Sequence, residues 1–443
     1  LLSVNYIQRG RARFENPMLS SLDHIAVQLQ ERWVPKWYEA FLDTKNGGFH
    51  ERLTYQFVPM NTGYKRLVTQ CRQLAIYAHA QTISGGSAAI ETGGEGLISH
   101  FHFLRDHYYR SDHGGWIFSC TDSGEAKDSH YDLYAHGFVL FALSHYFRAT
   151  QDEEGRSLAI KTADFIKGHF KMPDGLPGFA EALDVDLNII PRIRRQNPHM
   201  HLFEGVLFAW KTYKEPVFKE LSENIYQLFS DFFFDKRTGT LGEFYDDFLK
   251  PHATDGQICE PGHHYEWVWL LHLYAQLFGD TSNIYNQKRC LFEWAEGKGH
   301  DREYGGIYNS LNRQGYVIDD HKRIWPLTEA LKAHLCMLDD APSAIDRGNY
   351  KHVLTEVLSV LSGGYLQKRG FWTEIMDRHL LPETDYMPGT TPYHLYFGIM
   401  ESVRLSHERG QSPSWAVLPY RLQFKMRRRL SRLARRIIKT KAV

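Results

Sequence analysis

A glycine followed within two residues by a large apolar side chain recurs along this chain at an almost constant interval. It stands in NGGFHE at Gly48, HGGWIF at Gly115, LPGFAE at Gly178, LGEFYD at Gly242, YGGIYN at Gly306 and RGFWTE at Gly370. The successive steps are 67, 63, 64, 64 and 64 residues. A chain built from six such units must bury copies of one supersecondary unit against one another, which restricts it to a stacked or closed repeat architecture.

Between the glycines the pattern is helical. SLDHIAVQLQERWVPKWYEAFLD carries apolar residues at i, i+3 and i+4, with Asp23 as a candidate cap. LYAHGFVLFALSHYFRAT, HLFEGVLFAWKTYK and HYEWVWLLHLYAQLFG are apolar almost throughout, too apolar for one buried stripe, and suit helices covered on both sides. Each interval has room for two helices. Strand signals are short and confined to the glycine turns, where they predict small hairpins. Two helices in each of six units predict an all-α (α/α)6 barrel, with the most apolar helices inside. Residues 1–415 then form one catalytic domain, followed by a basic amphipathic tail over 416–443.

Charge excludes some functions. Lys plus Arg and Asp plus Glu each number 52, so no overall field draws the chain to nucleic acid. The segment from Arg421 to Val443 departs from this balance, with ten basic residues and no acidic one. The rest of the chain holds 42 basic against 52 acidic side chains, a net charge of −10. Leu422, Met426, Leu430, Leu433 and Ile437 fall at helical spacing there. The expectation is contact with an anionic surface through 421–441, or docking on the chain's own acidic face. Five widely spaced cysteines without a C-x-x-C pair read as reduced thiols in a cytoplasmic protein. No run of apolar residues is long enough for a membrane span, and LLSVNYIQRGRARF lacks a signal-peptide core.

Polar residues at the starts of the apolar helices carry the chemistry. NPHMHLFEG (Asn197–Gly205) opens one of them, EPGHHYEW (Glu260–Trp267) opens the next, and TPYHLY (Thr391–Tyr396) is similar. His263 and Glu266 are three apart on one helix face, while His264 points elsewhere. A carboxylate beside an imidazole raises its pKa and fixes its tautomer, which suits a general acid or base. His201 and Glu204 share the same spacing, so His201 is preferred over His199 as the cleft residue. Asn197 before Pro198 reads as a helix cap with proline at the first helical position. The two histidines and two glutamates form a conceivable metal shell. Yet the chain has no H-E-x-x-H and no H-x-E with C-x-x-C, so no metal is expected. A glycosidase needs two carboxylates across the scissile bond, but Asp132, Glu204, Glu266 and Glu329 lie beside His, Asn or Trp. Nucleotide-binding glycine loops and a G-x-S-x-G elbow are missing.

QCRQLAIYAHA, DLYAHGFVLFAL, RRQNPHMHLFEG, PGHHYEW, RIWPLTEALKA and PYHLYFGIME, in this order, resemble the N-acylglucosamine 2-epimerase superfamily over roughly residues 30 to 405. That superfamily includes mannose isomerases, sulfoquinovose isomerase and cellobiose 2-epimerases, and its fold is the (α/α)6 barrel. The resemblance implies a monosaccharide substrate and proton movement at sugar carbons 1 and 2 through a cis-enediol(ate), with no cofactor or metal. It implies catalytic roles for His263 and His394, His394 as the carbon 1/carbon 2 shuttle and His263 opening the ring or serving the opposite face. Arg72 then faces the enediolate oxygen. Tyr134, Asn197 and His201 hydrogen-bond hydroxyls, Glu266 orients His263, and Trp325 offers a stacking face. Trp269 and Glu329 are further candidates. LVTQCR departs from the W-x-Q-G-R of N-acylglucosamine 2-epimerases, and LKPHATDGQICEPG lacks the arginine expected for a sulfonated sugar. The wording is closest to the mannose isomerases. D-mannose to D-fructose isomerisation comes first, 2-epimerisation of a glucose-type sugar or disaccharide second, and an (α/α)6 glycoside hydrolase is more remote. A monomer or homodimer is expected.

Overall fold

The computed structural model describes residues 22–84, 93–338 and 340–408, so the expected tail over 416–443 lies outside the described residues. Helix α1 runs Leu22–Gln28, passes through a π-helical turn at Leu29–Trp33 and continues over Val34–Phe41. Asp23 falls inside its first turn rather than before it. The remaining helices are α2 (Leu67–Ser84), α3 (Gly93–Tyr108), α4 (Leu133–Thr150), α5 (Glu153–Phe165), α6 (Gln196–Tyr213) and α7 (Pro216–Leu228). They continue with α8 (Pro261–Phe278), α9 (Ser282–Trp294), α10 (Trp325–Met337), α11 (Ala344–Val360) and α12 (Thr391–Glu408). The even-numbered helices contact one another in order and α12 returns to α2, so the inner ring closes. This is the expected (α/α)6 barrel.

Patterning decides which helix lies where. On α7 the buried residues are Phe218, Leu221, Ser222, Ile225 and Leu228, one stripe facing inward. On α8 every residue from Pro261 to Leu271 is buried, as a helix with neighbours on both sides requires. Inner helices α4 and α6 approach through glycines. A Cβ on Gly205 would lie 2.3 Å from the Gly137 carbonyl oxygen, and one on Gly137 would lie 2.8 Å from that of His201.

The glycine landmarks lie in the predicted hairpins. Each hairpin closes through a pair: Leu42 with Phe49, Tyr109 with Trp116, Lys171 with Phe179, Phe234 with Leu241, His300 with Ile307, and Leu366 with Trp372. Gly48 precedes its bridge with φ of 68° and Gly306 with φ of 82°, conformations that glycine adopts without strain. Gly242 instead follows its bridge at Leu241. Arg52–Thr54 pairs antiparallel with Tyr386–Pro388, joining the first unit to the last.

Three histidines tie hairpins to inner helices. His136, His199 and His264 each donate from Nδ1 to the backbone carbonyl four residues earlier, at Asp132, Arg195 and Glu260. Each accepts at Nε2 from the backbone N–H of a bridging residue, at Trp116, Phe179 and Leu241. These are structural imidazoles, consistent with the expected orientation of His264 and the choice of His201 over His199. Asp132 is the side-chain cap of α4 and accepts from the N–H of Ala135. None of the five cysteines is in a disulfide. No helix among the described residues is long and apolar enough to cross a membrane.

Candidate active site

The inner helices begin at the end of the barrel that carries the hairpins, and their first turns surround an open cleft. Arg72, Tyr134, Asn197, His201, His263, Glu266, Trp325 and His394, all singled out from sequence, line it together. Six helix N-termini at one end place partial positive charge around the space where an anionic intermediate would form.

Arg72 is held on several sides. Its guanidinium lies 4.2 Å from the Phe138 ring centroid and 4.7 Å from that of Tyr393. It donates to the Thr390 carbonyl at 3.2 Å and to the Tyr134 hydroxyl at 2.6 Å. Its buried Nε has no partner in the protein. Tyr393 in turn donates to Glu204.

The two outstanding histidines are braced by different carboxylates, with opposite results. His263 Nδ1 lies 3.0 Å from Glu243 and 3.7 Å from Glu260. Burial alone would lower its pKa, but these two carboxylates overcome it and hold the imidazole at about 9. Glu266, expected to orient His263, does not: its oxygen points to His201 at 3.8 Å. Both residues sit on α8, but the face they share is met by His201 of α6 on one side and by the hairpin of Glu243 on the other. His394 Nδ1 lies 3.2 Å from Glu329. Burial prevails over that contact and pushes the imidazole down to about 3. Glu329 itself resists burial through Lys332, 2.6 Å away, and His394, which together hold it at about 2. An ionised Glu329 accepts the Nδ1 proton of neutral His394 and leaves Nε2 as a free base.

Trp325 packs against both imidazoles, with ring centroids 5.0 Å from His263 and 5.4 Å from His394. Asn197 is not a cap. Helix α6 begins at Gln196 with Arg195 as its capping residue, so Asn197 sits in the first turn and its buried Oδ1 has no partner in the protein. His201 Nδ1 meets Glu204 at 3.2 Å, as spaced, and burial beside Arg72 keeps it neutral. Both oxygens of Glu266 lack hydrogen-bond partners, and burial reinforced by Glu329 raises its pKa well above the ordinary carboxylate value. Trp269 does not line the cleft; it donates to Glu401 and its ring lies 3.5 Å beneath Lys332.

Sequence reasoning missed Glu243, and also Glu260, Arg323, Glu374, Thr390 and Thr391, which line the cleft. A signal for Glu243 existed. It stands two residues after the hairpin bridge at Leu241, where Glu51, Glu181 and Glu374 stand after Phe49, Phe179 and Trp372. Glu51 and Glu181 accept from the backbone N–H of Arg66 and Arg195, and Glu374 from the Thr391 hydroxyl. Glu243 accepts from the N–H of Glu260 in the same manner and holds His263 as well.

The sequence profile of the N-acylglucosamine 2-epimerase (GlcNAc 2-epimerase) family matches residues 47–398. The chain belongs to this family. A cellobiose 2-epimerase of Bacteroides fragilis is 29% identical over 307 residues, spanning 66% of this chain and 76% of its own length. A mannose-6-phosphate isomerase of Rhizobium meliloti is 28% identical over 386 residues, spanning 85% of this chain and 95% of its own. A solved D-mannose isomerase superposes with a TM-score of 0.77 at 18% identity, covering 88% of this chain and 99% of that one, and so shares the barrel. This member of the N-acylglucosamine 2-epimerase family is therefore an enzyme of the sugar isomerase and epimerase class.

Proposed function

We propose that this enzyme is a cofactor-independent aldose–ketose isomerase that converts D-mannose to D-fructose. The observation that carries this reading is the unlike bracing of two imidazoles in one cleft: His263 lies between Glu243 and Glu260, which favours its charged form, whereas His394 meets only Glu329, a carboxylate already paired with Lys332, which favours its neutral form. Imidazolium His263 donates a proton to the ring oxygen, the bond from carbon 1 to that oxygen breaks, and the O1 hydroxyl proton passes through solvent back to the imidazole, which leaves the open-chain aldehyde. In the open chain, Nε2 of His394 takes the proton from carbon 2. The electron pair forms the C1–C2 double bond, and O1 becomes the enediolate oxygen beside Arg72, whose fixed charge stabilises it. His394 returns the proton to carbon 1, the O2 hydroxyl proton passes to O1, and the ketose results. Tyr134, Asn197, His201 and Glu266 offer hydrogen-bonding groups to the hydroxyls, and Trp325 an apolar face.

A second reading is 2-epimerisation of a glucose-type sugar or disaccharide. It is favoured by a second cleft imidazole that already carries a proton to deliver to carbon 2, and by the cellobiose 2-epimerase relative. A proton NMR time course with D-mannose in deuterated water separates the two. Fructose together with exchange at carbon 2 supports the isomerase, whereas glucose appearing before fructose selects the epimerase. No fructose and no exchange removes the mannose assignment, and cellobiose is then the next substrate to try.

A further inference from the structure

Behind His263 lies a chain of buried hydrogen bonds that converges on one carboxylate oxygen. Trp267 Nε1 donates to Gln196 Oε1 at 2.8 Å, Gln196 Nε2 donates to Glu243 Oε2 at 2.9 Å, and His263 Nδ1 meets the same oxygen at 3.0 Å. His263 and Trp267 are one turn apart on α8, Gln196 opens α6, and Glu243 comes from the hairpin between them in sequence. Gln196 and Trp267 are completely buried. The Trp267 ring lies 4.1 Å from Phe229 and 5.5 Å from Phe203, so it cannot turn away.

Donor and acceptor chemistry fixes the direction of this chain. An indole N–H only donates, so Gln196 must present its carbonyl to Trp267 and its amide N–H to Glu243. Glu243 Oε2 therefore receives a hydrogen bond from Gln196, while Oε1 receives the N–H of Glu260. A carboxylate surrounded by donors stays ionised and acts as acceptor for Nδ1 of His263.

We propose that Trp267, Gln196 and Glu243 form a positioning relay that fixes an ionised carboxylate at Nδ1 of His263 and so keeps that imidazole charged in the resting enzyme. This deepens the functional reading, because it rests on His263 as the acid. The other groups facing His263 are Glu260 just before α8, Glu266 on α8 and His201 on α6, with Arg323 beside Glu260. Among the described residues, Glu243 is the one of these three carboxylates that hydrogen-bonds side chains of other elements.

The test reads the ring itself and needs no sugar. Histidine-selective 15N labelling of the full chain, with His263→Gln to assign the signal, follows the His263 titration by NMR. The wild-type point is expected at about 9. Glu243→Gln is expected to lower it by more than about one pH unit. Gln196→Leu, which leaves the carboxylate in place but unfixed, is expected to lower it by a smaller step. Should Glu243→Gln not fold by circular dichroism, Glu243→Asp, with the charge kept but withdrawn, reads the same point. A His263 titration unmoved in the Glu243 variant overturns the proposal, and one unmoved or raised in Gln196→Leu overturns the relay. A lowered titration in an enzyme that turns over neither mannose nor cellobiose leaves the relay standing and removes the functional reading.

Discussion

At the scale of the residue, the cleft separates two chemically identical imidazoles by their surroundings. His263 faces two carboxylates that favour its charged form, while His394 is buried against one ionised carboxylate that Lys332 also pairs. On the proposed mechanism activity needs His394 neutral and His263 charged, which holds between about 3 and about 9. The pH profile of kcat/KM is expected to be flat near neutrality with its alkaline limb near 9; a limb in the ordinary imidazole range would remove His263 as the acid. His394→Ala is expected to lower kcat by about 10²- to 10⁴-fold with an unchanged circular dichroism spectrum. Turnover close to wild type would show that the proton is carried elsewhere.

At the scale of the element, the shape of the cleft depends on how closely α4 and α6 approach, since Tyr134 stands on one and Asn197 and His201 on the other. Gly137 and Gly205 set that distance, because the backbones touch where side chains are missing. A methyl group at 205 would meet a backbone oxygen that cannot rotate aside. Gly205→Ala is expected to cost about 1–3 kcal/mol by urea denaturation and to raise KM by moving Tyr134 against His201. A variant with wild-type midpoint and KM would show that the helices can separate freely. Both glycines were visible in AHGFVL and LFEGVL, but nothing in a single sequence shows that they face each other. The hairpins were legible as glycine turns, and the recurring glutamates beside them were visible as a pattern without a partner. Their role appears only when the hairpin is folded back onto the N-terminus of the next inner helix.

At the scale of the whole molecule, the structural histidines make stability pH-dependent. His136, His199 and His264 accept at Nε2, so each must be neutral, and burial holds them at about 4, 3 and 4. In the unfolded chain the same groups take up protons near 6.5. Below that pH the unfolded state binds more protons than the folded one, so stability falls as the pH falls. His263 acts in the opposite direction: its raised pKa contributes stability that is complete below about 6.5 and lost as pH rises through about 9. Urea midpoints are expected to be highest near neutrality and to fall more steeply on the acid side. A midpoint that stays level from neutrality into the acid range would contradict the geometry of these three imidazoles.

The sequence alone determined the number of units, the helical period within them and the inner place of the most apolar helices, because repeat spacing and apolar patterning are properties of the chain taken locally. Its motif order also brought out the eight cleft residues. The tertiary structure decided which carboxylate serves which histidine. Spacing of three residues correctly paired His201 with Glu204, yet it also paired His263 with Glu266, whose oxygen turns to His201 instead. The partners that matter, Glu243 and Glu329, lie 20 and 65 residues from their histidines, on a hairpin and on a neighbouring helix. Helical periodicity fixes which side chains share a face. What that face meets depends on the rotation of adjacent helices and the register of the hairpins, and those are set only when the ring closes.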